Sequence, residues 1–390
     1  MRIAVLTRTA ARIGGVEVYL ERALPHLIAA GHEVRLIVED GGPGALGGVE
    51  AQPLAAGLGE LAGVDVAWVH GLADPDLEGR VLASAPAVAF AHDYQASCLS
   101  GAKSFRRPAP EPCARRCGAA CLALYYARGC GGRSPRTLLR SWLRQRARVR
   151  ALARYAGVVT LSEHMRREVI RHGVDSERAV ALPPLPPPLA GTAREAPWSA
   201  EVAQLLCLSR LEPEKGVQVL LSALPLLVAR LGRRVELNVA GEGRARAALE
   251  RAAARLNPRA QVRFLGRVPG AQVDQLMEES HLLVLPSLWP EPAGLVGLEA
   301  GLRGLPVAAF RSGGVPEWLL EGENGALAAA DPPTADGLAA AMSRCLEDPS
   351  RHAELRAGAR RLARDASPER HLSALSAALR AAARNEARGR

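Results

Sequence analysis

Two glutamates, Glu291 and Glu299, stand eight positions apart in PEPAGLVGLEAGLRG (Pro290 to Gly304), a block followed by LPVAAF and SGGVPE. It comes after an apolar run that ends in a proline turn, HLLVLPS (His281 to Ser287), and reads as the opening of a helix. Pro292 and Gly294 suit such an opening, and the first-turn amides of Gly294, Leu295 and Val296 have no intrahelical acceptor. A helix N-terminus after a strand binds phosphate, because unpaired N–H groups and the positive end of the helix dipole coincide there. With Glu291 before those amides and Glu299 about one turn after them, an anion can be gripped while each carboxylate accepts hydrogen bonds from neighbouring hydroxyls. A phosphate flanked by hydroxyls describes a nucleotide diphosphate sugar. Taken singly, each glutamate reads as well as helix decoration, worth about 0.3–1 kcal/mol against the dipole.

A second pair is cationic. Arg210 and Lys215 lie in LSRLEPEKG (Leu208 to Gly216), just after the first strand-like run of the second half. They would project from the carboxyl end of that strand, where open α/β sheets bind ligands, and two cations there suit a diphosphate. GGVEVYL (Gly14 to Leu20) puts Gly14 and Gly15 between the first strand and first helix, where backbone can approach a phosphate or substrate closely. The dinucleotide fingerprint G-x-G-x-x-G is absent, and GEGRAR, from Gly241, keeps only two of its glycines. His92 and Asp93 close a strand in AFAHDY and point towards the ligand edge of an ordinary α/β domain. The carboxylates of Asp74 and Asp76 lie in a loop with no companion ligand and do not read as a metal pair.

The elements that must position these residues alternate from the start. IAVLT (from Ile3) precedes a helix from about Val16 to Ala30, with Val16, Leu20, Leu24, Leu27 and Ile28 on its covering face, and VRLIV (from Val34) follows. Further short apolar strands begin at Val64, Ala87, Gly157 and Ala179, a doubly wound parallel pattern. At Pro183 the pattern stops in PPLPPPLAGTAREAPW, whose prolines lack the amides that a helix or central strand needs. A second α/β pattern runs through QLLCLS, VELNVAG, VRFLG, HLLVLP and PVAAF, and a helical stretch from about Ala353 to Arg384, broken near Ser367 and Pro368, closes the chain. The expected organisation is an N-terminal domain over 1–182, a linker over 183–199, a second domain over 200–366, and a final helix over 367–390 packing back towards the first domain.

At 390 residues the chain exceeds one comfortable core, and its 48% apolar content excludes a disordered polymer. No apolar run approaches the length of a membrane span, and the N-terminus lacks the long apolar core of a signal peptide, so a cytoplasmic protein is expected. Fourteen Lys or Arg residues between Lys103 and Arg154 face a single acid, Glu111, which exceeds the whole chain's excess of +10. Such blocks meet phosphate in nucleic acid, anionic lipid or a phosphorylated acceptor, or they are simply solvated. Leu122, Leu124, Tyr125, Tyr126, Leu138, Leu139, Trp142 and Leu143 interleave with them, so a basic, partly apolar surface that touches the inner face of a membrane is expected. Cys98, Cys113, Cys117, Cys121 and Cys130 crowd the same region, and the 113, 117, 121 spacing lies on one face if helical. Thiolates so clustered suit a structural zinc site, or else pack as small hydrophobes.

The succession GGVEVYL, HDY, LSEHMRREV, LSRLEPEKG, AGEG, FLGRV, LPSLWPEPAGLVGLEA and SGGVPE closely resembles family 4 of the retaining glycosyltransferases, over nearly the whole chain. The resemblance implies the α/β GT-B fold, two Rossmann-like doubly wound domains facing across a cleft, with donor mainly on the second and acceptor mainly on the first. It implies that Arg210 and Lys215 hold the donor diphosphate, that Glu291 and Glu299 contact the donor sugar and ribose, and that His92 lies near the reacting sugar. Gly14, Gly15, Gly241, Arg267, Gly294, Leu295 and Val296 complete the donor surroundings so implied. The family retains anomeric configuration and needs no divalent metal or other cofactor. The expected partners are a nucleotide-sugar donor and a glycan, lipid-linked or natural-product acceptor, without nucleic acid. An Asn-Gly turn usual before the linker is replaced by LPPLPPP, and an Ala-Met-Ala run after Glu299 by AGLRG; neither touches the donor motifs. A nucleotide-sugar epimerase of the same architecture, and a nucleic-acid- or membrane-binding module built on the basic segment and the cysteines, are the alternatives.

Overall fold

The computed structural model describes residues 1–11, 14–54, 58–108, 110–132, 134–188 and 196–387, so positions 189–195 of the expected linker lie outside the described residues. The chain divides into two compact units. One holds Met1–Lys103, Ala114–Pro186 and Ala366–Arg390, and the other Ser104–Cys113 and Pro187–Asp365.

The first unit is built from β1 (Arg2–Thr7), α1 (Gly15–Ala29), β2 (Glu33–Val38), β3 (Ala45–Leu46), β4 (Val49–Pro53), β5 (Val66–Val69), α2 (Pro75–Ser84) and β6 (Ala87–Ala91). A short hairpin, β7 (Ser104–Phe105) with β8 (Glu111–Pro112), groups with the second unit. The first then resumes with α3 (Ala120–Ala127), α4 (Pro135–Leu152), β9 (Gly157–Thr160), α5 (Glu163–Arg171) and β10 (Ala179–Ala181). Its eight strands run in the order β10-β9-β6-β5-β1-β2-β4-β3, parallel throughout except for the β3/β4 hairpin. Strands covered on both faces must be apolar on both, and Ile3, Ala4, Val5 and Leu6 of β1 are all fully buried. On α1 the inward stripe is Tyr19, Leu20, Ala23, Leu24 and Leu27. It lies a little to one side of the expected one, which leaves Ile28 45% exposed. Asp74 caps α2, its carboxylate accepting from the Asp76 amide at 3.0 Å, which gives that aspartate a purely local task.

The second unit runs β11 (Val202–Leu208), α6 (Val217–Leu231), β12 (Arg234–Ala240), α7 (Arg246–Ala253), β13 (Ala260–Gly266), α8 (Gly270–Glu278), β14 (Leu282–Leu285), α9 (Leu295–Leu302), β15 (Val307–Phe310), β16 (Gly325–Ala328), α10 (Ala335–Leu346) and α11 (Pro349–Arg364). All six strands of its sheet are parallel, in the order β13-β12-β11-β14-β15-β16. Strand order therefore reverses between β11 and β14, and ligands bind open α/β sheets beside the carboxyl ends at such a switch point.

The last helix, α12 (Pro368–Ala387), belongs to the first unit. Its Leu375, Leu379 and Ala382 share a core with Ile3, Trp68 and Phe90. The described ends of the proline-rich stretch are packed as well. Leu182 and Leu185 join the first core, the Pro183 carbonyl accepts from His371 Nδ1 at 2.6 Å, and the Pro197 carbonyl accepts from His281 Nε2 at 2.9 Å.

Candidate active site

At the second unit's switch point, two loops are sewn together by backbone. β11 leads into a single 3-10 turn, Pro213–Lys215, and the loop after β14 crosses it, with the Leu288 and Trp289 amides both donating to the Glu214 carbonyl at 2.9 and 3.2 Å. Gly216 ends the turn at φ +73°, and a Cβ there would lie 1.8 Å from the Pro286 carbonyl oxygen, so only glycine lets the loops meet so closely. This juxtaposition brings Lys215 Nζ to 2.7 Å from Glu291 Oε1. The same oxygen accepts from the Ser287 hydroxyl, and the ammonium sits 4.4 Å from the centre of the Trp289 ring. Lys215 and Glu291 are only 11% and 9% exposed, so the pair is charge-matched, largely desolvated and fixed.

The SGG of SGGVPE clamps the other side of Glu291. The Gly314 amide donates to the Glu291 carbonyl at 2.7 Å, the Ser312 hydroxyl donates to the Trp289 carbonyl, and a Cβ on Gly313 would strike the Glu291 carbonyl at 2.1 Å. Gly294, left-handed at φ +72°, is the cap of α9, so Leu295 and Val296 are its first helical residues. Trp318 fixes the entry to α9, donating from Nε1 to the Ala293 carbonyl at 2.6 Å and covering Gly297 so tightly that a Cβ would lie 1.9 Å from its ring. Glu299 is half-buried one turn further along.

Arg210, Gly241 and Arg267 follow three neighbouring strands, β11, β12 and β13. Their loops are tied by Ser209 N to Ala240 O (3.1 Å), Leu211 N to Glu242 O (2.8 Å) and Gly241 N to Gly266 O (2.7 Å). Gly241 and Gly243 are needed for that approach, since Cβ atoms would lie 1.8 and 2.4 Å from the carbonyl oxygens of Ser209 and Leu211. The glycines of GEGRAR thus serve loop packing. The Arg210 and Arg267 side chains are exposed, and neither makes an ion pair among the described residues.

In the first unit His92 follows β6, and His70, which sequence reasoning passed over, follows the adjacent parallel strand β5. His70 Nδ1 and His92 Nε2 are 2.7 Å apart, and His92 stacks on Phe90 with ring centres separated by 4.0 Å. Burial pushes the His92 pKa down to about 3 and holds His70 well below its ordinary value, and a proton on one ring would further disfavour a proton on the other, so both rings are neutral. Tyr19 of α1 packs edge-on to His92 at 5.5 Å. His371 donates from Nδ1 to Pro183, which leaves Nε2 to accept from the Tyr19 hydroxyl at 2.7 Å. A signal for His70 was present, because WVHG and FAHD both put a histidine directly after a buried strand. At the start of α1 the Gly14 amide donates to the Glu17 carboxylate at 2.7 Å, and Gly15 has open space around its Cβ position.

The cysteine segment is not one helix. Cys113 follows β8, Cys117 lies in a loop, and only Cys121 is helical, in the first turn of α3, because the helix begins at Ala120. Cys113 groups with the second unit and Cys98, Cys117, Cys121 and Cys130 with the first. Cys117 and Cys121 share a hydrogen bond that draws Cys121 down to about 6 and raises Cys117. Among the described residues, no group of three or more His, Cys, Asp or Glu is placed to hold a metal ion. What anchors the segment is a buried Lys103–Glu168 ion pair, with Lys103 also donating to the Arg115 carbonyl and the Cys117 amide donating to His172 Nε2.

Residues 14–184 match the family described as glycosyl transferase 4-like domain, and residues 193–362 match glycosyl transferases group 1. Both halves of the chain thus resemble glycosyltransferase domains. Glycogen synthase of Mycobacterium tuberculosis is 36% identical over 182 residues, 47% of this chain and 40% of the relative. A GDP-mannose-dependent α-(1-6)-phosphatidylinositol monomannoside mannosyltransferase of Mycolicibacterium smegmatis is 34% identical over 167 residues, 41% of this chain and 43% of the relative. The chain therefore spans about two fifths of the length of these curated relatives. Anabaena HepE, solved in complex with UDP-glucose, superposes with a TM-score of 0.63 at 20% identity, covering 99% of both chains. That likeness gives the fold, GT-B. No helix among the described residues is long and apolar enough to cross a membrane.

Proposed function

We propose that this chain is a retaining glycosyltransferase that moves a sugar from a nucleotide diphosphate sugar to a hydroxyl of a glycan, lipid-linked or natural-product acceptor, without a divalent metal. The observation that carries the reading is the desolvated Lys215–Glu291 pair at the switch point of the second unit, beside the start of α9. A diphosphate arriving there meets the Lys215 ammonium, the Leu295 and Val296 amides and the exposed Arg210 guanidinium. Glu291 and Glu299 are hydroxyl acceptors for the sugar and ribose. As the bond from the sugar's anomeric carbon to the diphosphate breaks, negative charge grows on the leaving oxygen, and fixed donors aimed at that charge are each worth about 10²–10³ in rate. Retention follows if the acceptor attacks from the leaving-group face and gives its proton to the departing phosphate. His92, neutral and held by His70, serves as a hydrogen-bonding partner for the reacting sugar.

The test is a melting-temperature screen of nucleotide sugars, then proton NMR of the product's anomeric signal. A donor at a hundred times its Kd stabilises by about 2.7 kcal/mol, which is a readable shift. Inversion of configuration, or no response to any nucleotide sugar, defeats the proposal. The epimerase alternative has no observation in its favour among the relatives described.

A further inference from the structure

Five cations of the basic segment share one surface, the outer face of α4. Leu138, Trp142, Gln145, Val149 and Leu152 turn inwards, buried or half-buried, and Arg148 donates to the Ala73 carbonyl at 3.0 Å. The opposite face carries Leu139 and Leu143, 58% and 56% exposed. Around them stand the exposed Arg136, Arg140, Arg144, Arg146 and Arg150. At 3.6 residues per turn these seven positions fall within an arc of roughly 160°, with both leucines inside it. The helix contains no acidic residue, and none of the five arginines makes an ion pair among the described residues. Of the apolar residues that sequence alone assigned to such a surface, Tyr125 is buried, while Leu122, Leu124, Leu138 and Trp142 are half-buried.

We propose that this face of α4 docks on an anionic lipid bilayer. The arginines alone would suit any polyanion. The two leucines discriminate, because a phosphate backbone gives nothing for an exposed aliphatic side chain, whereas a bilayer takes leucine at the acyl boundary and guanidinium among headgroup phosphates in the same pose. Single-stranded nucleic acid is held largely by aromatic stacking, and the one aromatic ring of α4, Trp142, is turned inwards. The surface is read from α4 alone and stands or falls separately from the transferase reading.

Flotation of the full chain tests this with vesicles of phosphatidylcholine alone and of phosphatidylcholine mixed with phosphatidylglycerol, each at low and high salt. Binding is expected only to the mixed vesicles at low salt. The double variant Leu139→Ser/Leu143→Ser and the triple variant Arg136→Gln/Arg140→Gln/Arg144→Gln should each lower the bound fraction about tenfold while keeping the wild-type melting temperature, since every changed side chain is exposed. The inference is overturned by equal recovery in all four conditions, by binding that the leucine variant leaves unchanged, or by polyuridylate binding as tight as vesicle binding and indifferent to the leucines.

Discussion

Replacing Lys215 by alanine should destabilise the second unit as well as stop turnover. In the amino-acid chain Lys215 reads as a cation directed at a ligand, but in the folded protein its ammonium is 2.7 Å from a carboxylate that is 9% exposed. At an effective dielectric of about 20 the gross attraction at that distance is roughly 6 kcal/mol, much of it offset by desolvation of the two charges. Truncating one partner leaves Glu291 buried with the Ser287 hydroxyl still bonded to it, a situation that costs about 3–5 kcal/mol. For a body of this size each kcal/mol moves the melting temperature by about 2–4 °C, so Lys215→Ala should melt on the order of 10 °C lower. Glu291→Gln added to Lys215→Ala removes the stranded charge and should recover about 2–3 kcal/mol, a coupling read from the four-member cycle by urea denaturation. A Lys215→Ala protein melting within about 2 °C of wild type, or a double variant no more stable than the single, would refute the argument that the pair is desolvated and mutually dependent.

Arg210→Ala should behave differently, because Arg210 is exposed and makes no ion pair among the described residues: unchanged melting temperature with turnover lowered about 10²–10³, and retained turnover would remove Arg210 from the donor site. His92 stays neutral in the folded protein down to about pH 3, whereas the unfolded chain takes up a proton below about pH 6.5. Stability is therefore lost as pH falls below that value, by about 2 kcal/mol from this ring at pH 5; His92→Gln should flatten the decline, and an identical pH slope would contradict the assignment. Brief EDTA treatment should leave transfer intact, and restoration of lost activity by magnesium or manganese would move diphosphate neutralisation from side chains to a metal.

The α/β class was legible because strands covered on both faces must be apolar throughout and helices between them must carry one apolar stripe, as β1 and α1 show. The site was legible only as separate motifs. That Lys215 meets Glu291, 76 residues away, depends on β11 lying next to β14, and no local spacing encodes which strands are neighbours. The His70–His92 contact was hidden for the same reason. The reading of Cys113, Cys117 and Cys121 as one helical face failed because spacing describes a face only where a helix exists, and α3 begins too late. Ile28 likewise shows that a stripe read from spacing can be rotated by one position when packing is decided by the sheet beneath it.

Because α12 completes the core of the first unit, the ribosome must make everything from Pro187 to Asp365 after the last preceding residue of that unit and before the helix that fills it. At 5–20 residues per second this interval is roughly 10–40 s, long compared with the collapse of a chain this size. During it the nascent first unit exposes the slot meant for Leu375 and Leu379, lined by Trp68 and Phe90. Synthesis order thus makes an unfinished apolar groove an obligatory stage in the life of each molecule, one that a holding chaperone could cover and that a chain stalled before Pro368 would carry permanently.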